Sequence, residues 1–240
     1  MQHETIAQAL AAACRSIDPV DARLLLEYVL HVNHAFLLTH SEHFLTGPQS
    51  AAFSQLIQRR AKGIPVAYLT GERPFYDLTF QVSEAVLIPR PETELLVEWA
   101  LEVLVAEPAG TAGTAKHVLD LGTGSGAIAL ALKHRLPALQ VDAVDASAEA
   151  LAVAQTNARA LGLDVRFLQG DWLGPASGCY DCIVSNPPYV AAQDPHLAAL
   201  RHEPLRALAA GADGLRDLRI IIGTAGTHLH AGGWLIVEHG

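Results

Sequence analysis

Hydrophobic positions change their period along this chain, and the changes mark its parts. Residues 1–63 carry helical spacing: Ile6, Ala9, Leu10 and Ala13 recur at three and four residues, as do Phe53, Leu56 and Ile57. The predicted helices run over Thr5–Arg15, from Asp18-Pro19 through Leu24, Leu25, Tyr28 and Val29, over Asn33–Thr39, and from Pro48 to Lys62. Asp18-Pro19 is a start signal, a capping side chain followed by proline at the first turn, and Gly63 is a stop. From residue 64 to 88 the pattern turns β-like. Val66–Leu69, Thr79–Val82 and Val86–Ile88 are short apolar runs broken by Gly71-Glu72-Arg73-Pro74, which reads as a hairpin linking two domains. A helix then starts at Pro91, favoured by Glu92 and Glu94 at its positive end, and runs through Leu95, Leu96, Trp99 and Leu104 to a loop at Pro108–Thr114.

From His117 onward strands and helices alternate, which predicts an α/β fold with a doubly wound, mostly parallel sheet. The strands are Val118–Leu121, Val141–Val144, Val165–Leu168, Tyr180–Val184 and Trp234–Val237. Helices fill Ala127–Leu136, Ser147–Leu161 and Gly214–His228. The organisation expected is therefore a helical domain at 1–63, a hairpin linker at 64–88 and an α/β domain at 89–240.

Ligands of such sheets bind beyond the C-terminal ends of the strands. Four features fall there. Gly122-Thr123-Gly124-Ser125-Gly126 turns strand one into its helix, and its glycines let the backbone approach a ligand. Asp145 ends strand two, where an acid can accept both hydroxyls of a ribose. Asp171 and Trp172 follow strand three and offer an acceptor and a flat apolar wall for adenine. Strand four runs into Asn186-Pro187-Pro188-Tyr189. Two prolines cannot continue a strand, so the backbone leaves the sheet in a stiff, extended shape. There the Asn186 oxygen and the Pro187 carbonyl can each accept one N–H, and the Tyr189 ring can stack on a planar group. The glycine turn also fits a dinucleotide fingerprint through Ala127, but a dehydrogenase has no need of the Asn-Pro-Pro-Tyr stretch.

The Asn186–Tyr189 stretch resembles the signature of S-adenosylmethionine-dependent methyltransferases that act on amide or exocyclic amino nitrogens. Taken with Leu87-Ile88-Pro89-Arg90-Pro91-Glu92-Thr93-Glu94, Asp120–Gly126, Glu203-Pro204, Ala207-Leu208 and Gly211-Ala212-Asp213-Gly214-Leu215, the whole chain is similar to the peptide chain release factor glutamine methyltransferases. That resemblance implies S-adenosylmethionine as cofactor, held by the residues of the glycine turn, Asp145, Asp171, Trp172 and Asn186. It implies catalysis by Asn186, Pro187, Pro188 and Tyr189 on the glutamine amide of a release factor's Gly-Gly-Gln loop, with the N-terminal helices helping to hold that factor. The family's domain continues into a final antiparallel hairpin, whereas this chain stops at Gly240, just after strand five.

Composition narrows the partners. The net charge of −9 falls almost entirely after residue 80, and there is no basic stripe of the kind that supplies most nucleic-acid affinity. A DNA adenine or RNA amino-methyltransferase, the alternative reading, would need one; a non-catalytic cofactor-binding module would not need an intact Asn186. No apolar run is long enough for a membrane span and no signal pattern opens the chain, so a cytoplasmic monomer is expected. No metal centre is expected. Cys179 and Cys182, three apart along a strand, point to opposite faces, and His31, His34, His40 and His43 have no accompanying ligand cluster.

Overall fold

The computed structural model describes residues 4–106 and 115–239; the loop expected at Pro108–Thr114 lies outside the described residues. The chain divides into two compact units, Met1–Gly71 and Glu72–Gly240.

The first unit is helical. Its elements are α1 (Ile6–Ala13), α2 (Pro19–Leu30), α3 (His34–Thr39), α4 (Gly47–Ala61) and α5 (Val66–Thr70). Side chains close their ends, Asp18 among them as the sequence suggests. Thr5 and Thr46 form reciprocal capping boxes with Gln8 and Gln49, Asp18 accepts from the Val20 N–H, and Asn33 from that of Phe36. The apolar faces meet in one core of Ile6, Leu25, Leu26, Leu37, Phe53 and Leu69. Residues Val66–Leu69 are helical and not the strand that their β-branched and aromatic content predicts. Pro65 sets the first turn, Gly71 ends the helix at φ +77°, and burial of Ala67 and Leu69 in the helical core outweighs a weak local preference.

The second unit opens with the hairpin, β1 (Glu72–Phe75) and β2 (Leu78–Gln81). The stretch expected to break the β pattern is thus itself a strand. Pro74 is tolerated because a strand of a two-stranded ribbon has a free edge. Tyr76, at φ +55°, makes the turn; its N–H donates to Glu94 and its ring lies 5.5 Å beneath the Arg135 guanidinium. The Val86–Ile88 run is not a strand either: Val86 and Ile88 are buried, and the Ile88 N–H donates to the Glu203 carboxylate.

After a single 3-10 turn at Pro91–Thr93 come α6 (Glu94–Ala106), β3 (His117–Leu121), α7 (Ala127–Arg135), β4 (Gln140–Asp145), α8 (Ala148–Leu161), β5 (Arg166–Gln169), β6 (Tyr180–Ser185), α9 (Arg216–Ala225) and β7 (Leu229–Val237). The strand order is β5-β4-β3-β6-β7 and every pairing is parallel. Alternate residues serve opposite faces. Val118, Cys182 and Val184 pack with α6, α7 and α8, while Leu119, Leu121 and Ile183 pack with Ile221 and Ala225 of α9. Cys182 is buried and Cys179 is exposed. Asn157 of α8 clips the hairpin to this layer: its amide nitrogen donates to the Gln81 and Ser125 carbonyls, and its oxygen accepts the Gln81 N–H at 2.8 Å. No helix among the described residues is long and apolar enough to cross a membrane.

Candidate active site

The order of the sheet reverses between β3 and β6, and at the C-terminal ends of these strands lies a cavity of about 340 Å³. Gly122, Gly124, Asp145, Asp171, Trp172, Asn186 and Pro188 line it, so all four stretches singled out in the sequence contribute to one site.

The glycine turn is built by its neighbours. Gly122, Gly124 and Gly126 all have positive φ, at 72°, 57° and 83°. A side chain on Gly126 would stand 3.0 Å from Leu130 and 3.2 Å from Ala154, so this glycine packs helix on helix and does not face the cavity. Thr123 and Ser125 are buried; the Thr123 hydroxyl donates to Asp120 at 2.7 Å. These three residues shape the turn, while Gly122 and Gly124 present it.

Asp145 holds the turn in place. One carboxylate oxygen accepts the Gly124 N–H at 2.9 Å and the other accepts the Ser147 N–H at 2.8 Å. Each oxygen keeps a lone pair for a ligand on the cavity wall. Trp172 sits at φ +46°, with its ring against Gly122, where an added side chain would come 3.5 Å from the indole. Beneath the turn, Asp120 is fully buried. Burial pushes its carboxyl from its ordinary 3.8 up to about 7, against the lowering by the Thr123 hydroxyl and the Ala129 N–H and with a further push from Asp145.

The Asn-Pro-Pro-Tyr segment is held on both sides. The Ser185 hydroxyl donates to the Leu121 carbonyl at 2.7 Å, tying the end of β6 to β3. Asn186 donates its amide N–H to the Thr93 hydroxyl at 3.0 Å, and Thr93 donates to Glu238 at 2.6 Å. Pro187 is buried, Pro188 faces the cavity, and Tyr189 stands back from it with its hydroxyl 3.5 Å from Glu238. Burial, with Glu238 nearby, raises the Tyr189 phenol above its ordinary range. Beyond Tyr189 the chain runs beside residues 208–211: the Val190 N–H donates to Leu208, that of Ala210 to Val190 and that of Ala192 to Gly211. Gly214, at φ +75°, closes against this ladder, where an added side chain would sit 2.3 Å from the Tyr189 carbonyl oxygen.

Sequence reasoning missed part of the wall. Ala85–Leu87 line it, as do Arg206, Arg216 and the buried Asp217. Arg206 donates to the Ser147 hydroxyl and Arg216 to Asp217 at 2.9 Å. Thr93 and Glu238 went unseen as partners of Asn186. Their signals were present, since Thr93 lies in the Pro-Glu-Thr-Glu string and Glu238 follows strand five at the end of the sheet that carries Asn186. The cavity suits an adenosyl cofactor, with bare glycine backbone on one wall, an anchored carboxylate beside it and an indole further along.

Comparison with known proteins adds the lineage. Residues 4–71 match the model of the PrmC N-terminal domain and residues 96–211 that of the methyltransferase small domain. A curated protein named release factor glutamine methyltransferase from Xylella fastidiosa is 49% identical over 96% of this chain and 83% of its own length. One of the same name from Coxiella burnetii is 42% identical over 99% and 84%, and one from Escherichia coli is 44% identical over 92% and 78%. Among solved structures, a T. thermophilus 16S rRNA methyltransferase in complex with AdoMet and guanosine superposes with a TM-score of 0.50 at 24% identity, over 68% of this chain and 40% of that one, a likeness of fold.

Proposed function

The chain belongs to the release factor glutamine methyltransferase family, and on that footing we propose how its residues carry the reaction: transfer of a methyl group from S-adenosylmethionine to the side-chain amide nitrogen of the glutamine in a release factor's Gly-Gly-Gln loop. The observation that carries this reading is the convergence of Asn186 and Pro188 with Asp145, Asp171 and Trp172 on one cavity at the switch point of the sheet.

In this reading Gly122 and Gly124 offer backbone to the cofactor's amino-acid end, and Thr123, Ser125 and Gly126 keep the turn in shape. Asp145 accepts the ribose hydroxyls, and Asp171 with Trp172 takes the adenine. When bound, the cofactor supplies an electrophilic methyl on a positively charged sulfur. The protein's task lies with the other reactant. An amide nitrogen is a poor nucleophile because its lone pair is shared with the carbonyl. Asn186 Oδ1 and the Pro187 carbonyl accept the two amide hydrogens, Pro188 confines the amide plane, and Tyr189 supports the segment from behind through its hydroxyl and Glu238. Two acceptors favour the positive charge that grows on nitrogen and fix its line of attack. The helical domain expected at 1–63 holds the release factor; in support, the compact unit that contains it, Met1–Gly71, has a core of its own that extends to Leu69. The enzyme works as a monomer in the cytoplasm, where its substrate acts in translation.

The test is transfer of a labelled methyl group from S-adenosylmethionine to four substrates: release factor, a release factor whose Gly-Gly-Gln glutamine is replaced by alanine, duplex DNA and ribosomal RNA. Label on the intact factor alone is expected. Label on nucleic acid at a comparable rate overturns the assignment.

A further inference from the structure

A side-chain amide has two ends of the same shape and opposite hydrogen-bonding sense. If Asn186 is the residue that receives the substrate amide, as proposed above, it works only with its oxygen toward the cavity. Turned over, it would set one NH₂ against another. We propose that Thr93 and Glu238 are positioning residues that decide which way Asn186 faces.

The order of donors decides it. A carboxylate only accepts, so the 2.6 Å bond between Glu238 and the Thr93 hydroxyl uses the single proton that this hydroxyl has. Toward Asn186, 3.0 Å away, the hydroxyl then has only a lone pair to offer, and the Asn186 nitrogen must meet it. Oδ1 is left as the free end of an amide that forms part of the cavity wall. Thr93 is 4% exposed, which keeps water from taking its place in the chain. The three residues come from three elements. Thr93 sits in the turn before α6, Asn186 follows β6 and Glu238 follows β7. The pairing of Ser185 with Val237 and the bond from the Glu238 N–H to the Ser185 carbonyl hold Glu238 beside Asn186. The second oxygen of Glu238 lies 3.5 Å from the Tyr189 hydroxyl, so one carboxylate reaches Tyr189 directly and Asn186 through Thr93. Rigid strands thus set the functional amide through a supporting shell, and its dipole needs no reorganisation when the substrate arrives.

Thr93→Val keeps the branched shape and removes the hydroxyl; Thr93→Ser keeps the hydroxyl. Two readouts serve. The first is single-turnover and steady-state methyl transfer to release factor. Thr93→Val is expected to lower kcat by about tenfold or more, with KM for the factor and the Kd of S-adenosylhomocysteine each within about twofold, and Thr93→Ser to recover most of the loss. The second needs no substrate: hydrogen exchange of the Asn186 side-chain NH₂, read by NMR on protein labelled with ¹⁵N-asparagine. Exchange is expected to quicken in Thr93→Val and to stay slow in Thr93→Ser. If thermal melting shows that Thr93→Val does not fold, Glu238→Ala carries the same two tests, because it frees the hydroxyl proton to turn toward Oδ1. Unchanged kcat, or unchanged exchange at Asn186, overturns the proposal. A wild-type enzyme that leaves release factor unmethylated overturns instead the reading of function, and the exchange still reports which way Asn186 is held.

Discussion

At the scale of single residues, the site depends on side chains that do two things at once. Asp145 both lines the cavity and ties the Gly124 and Ser147 amides. Asp145→Ala is therefore expected to weaken binding of S-adenosylhomocysteine by about 1.5–3 kcal/mol and to lower the melting temperature of the unliganded protein as well. Calorimetry and melting on the same sample check it, and unchanged affinity removes Asp145 from the site. Asn186→Ala should keep the fold and most of the cofactor affinity while losing about 10²–10³ in methyl transfer, the usual cost of a preorganised hydrogen bond at a reacting group. Single-turnover transfer beside thermal melting decides it; a folded variant with near-normal transfer refutes the role given to Asn186. Asp120 makes a prediction in pH. Its folded carboxyl titrates at about 7, above its ordinary 3.8, so it favours the folded state at low pH and that contribution is lost as pH rises through about 7. Asp120→Asn is expected to flatten the fall in melting temperature between those two values. An identical slope in the variant rules the contribution out.

At the scale of elements, the site is a meeting of strand ends with loops that are themselves pinned. The segment after Pro188 is stiff at its start because of the prolines, and its far side is fixed by the ladder between residues 190–192 and 208–211. Gly214 is the tightest point of that contact, since both its positive φ and the Tyr189 carbonyl exclude a side chain. Gly214→Ala is expected to destabilise the protein by at least about 2 kcal/mol, because backbone cannot yield as a flexible side chain can. Denaturant unfolding measures it, and a midpoint equal to wild type refutes it. Asn157 does similar work for the hairpin, where three hydrogen bonds join β2 and the glycine turn to α8. The hairpin therefore belongs to the unit that carries the site.

At the scale of the molecule, the division at Gly71 and Glu72 separates a helical core from an α/β core. If the helical unit holds the release factor, a protein beginning at Glu72 keeps cofactor affinity within about threefold and loses most of its transfer to the intact factor. Calorimetry with S-adenosylhomocysteine and transfer to release factor, run together, test this. Equal loss of both would mean that the helices support the fold of the site and not its substrate.

How much of this was legible in the sequence follows from what each part depends on. Parallel strands buried on both faces write near-continuous apolar runs, glycines at positive φ and prolines after a strand leave marks that no other residue leaves, and Asp18-Pro19 announces its helix alone. These are local constraints, so β3 to β6, the glycine turn and the Asn-Pro-Pro-Tyr segment were placed to within a residue or two. Between residues 66 and 88 the hairpin and its Thr79–Val82 strand are legible in the sequence, whereas Val66–Leu69, Glu72–Phe75 and Val86–Ile88 differ from their local pattern because what decides them is not local. Val66–Thr70 is helical through burial against the helical core, and the hairpin turns at Tyr76 without a glycine because Glu94 and Arg135 hold it from elsewhere in the chain. The same reason hid Thr93 and Glu238. They stand 93 and 52 residues from Asn186; Glu238 is brought beside it by the parallel pairing of β6 with β7, and Thr93, in the turn before α6, bridges the two. Periodicity and turn chemistry thus determined the sheet and the kind of site at its edge, while the orientation of the amide in that site was decided by hydrogen bonds that exist only once the sheet is assembled.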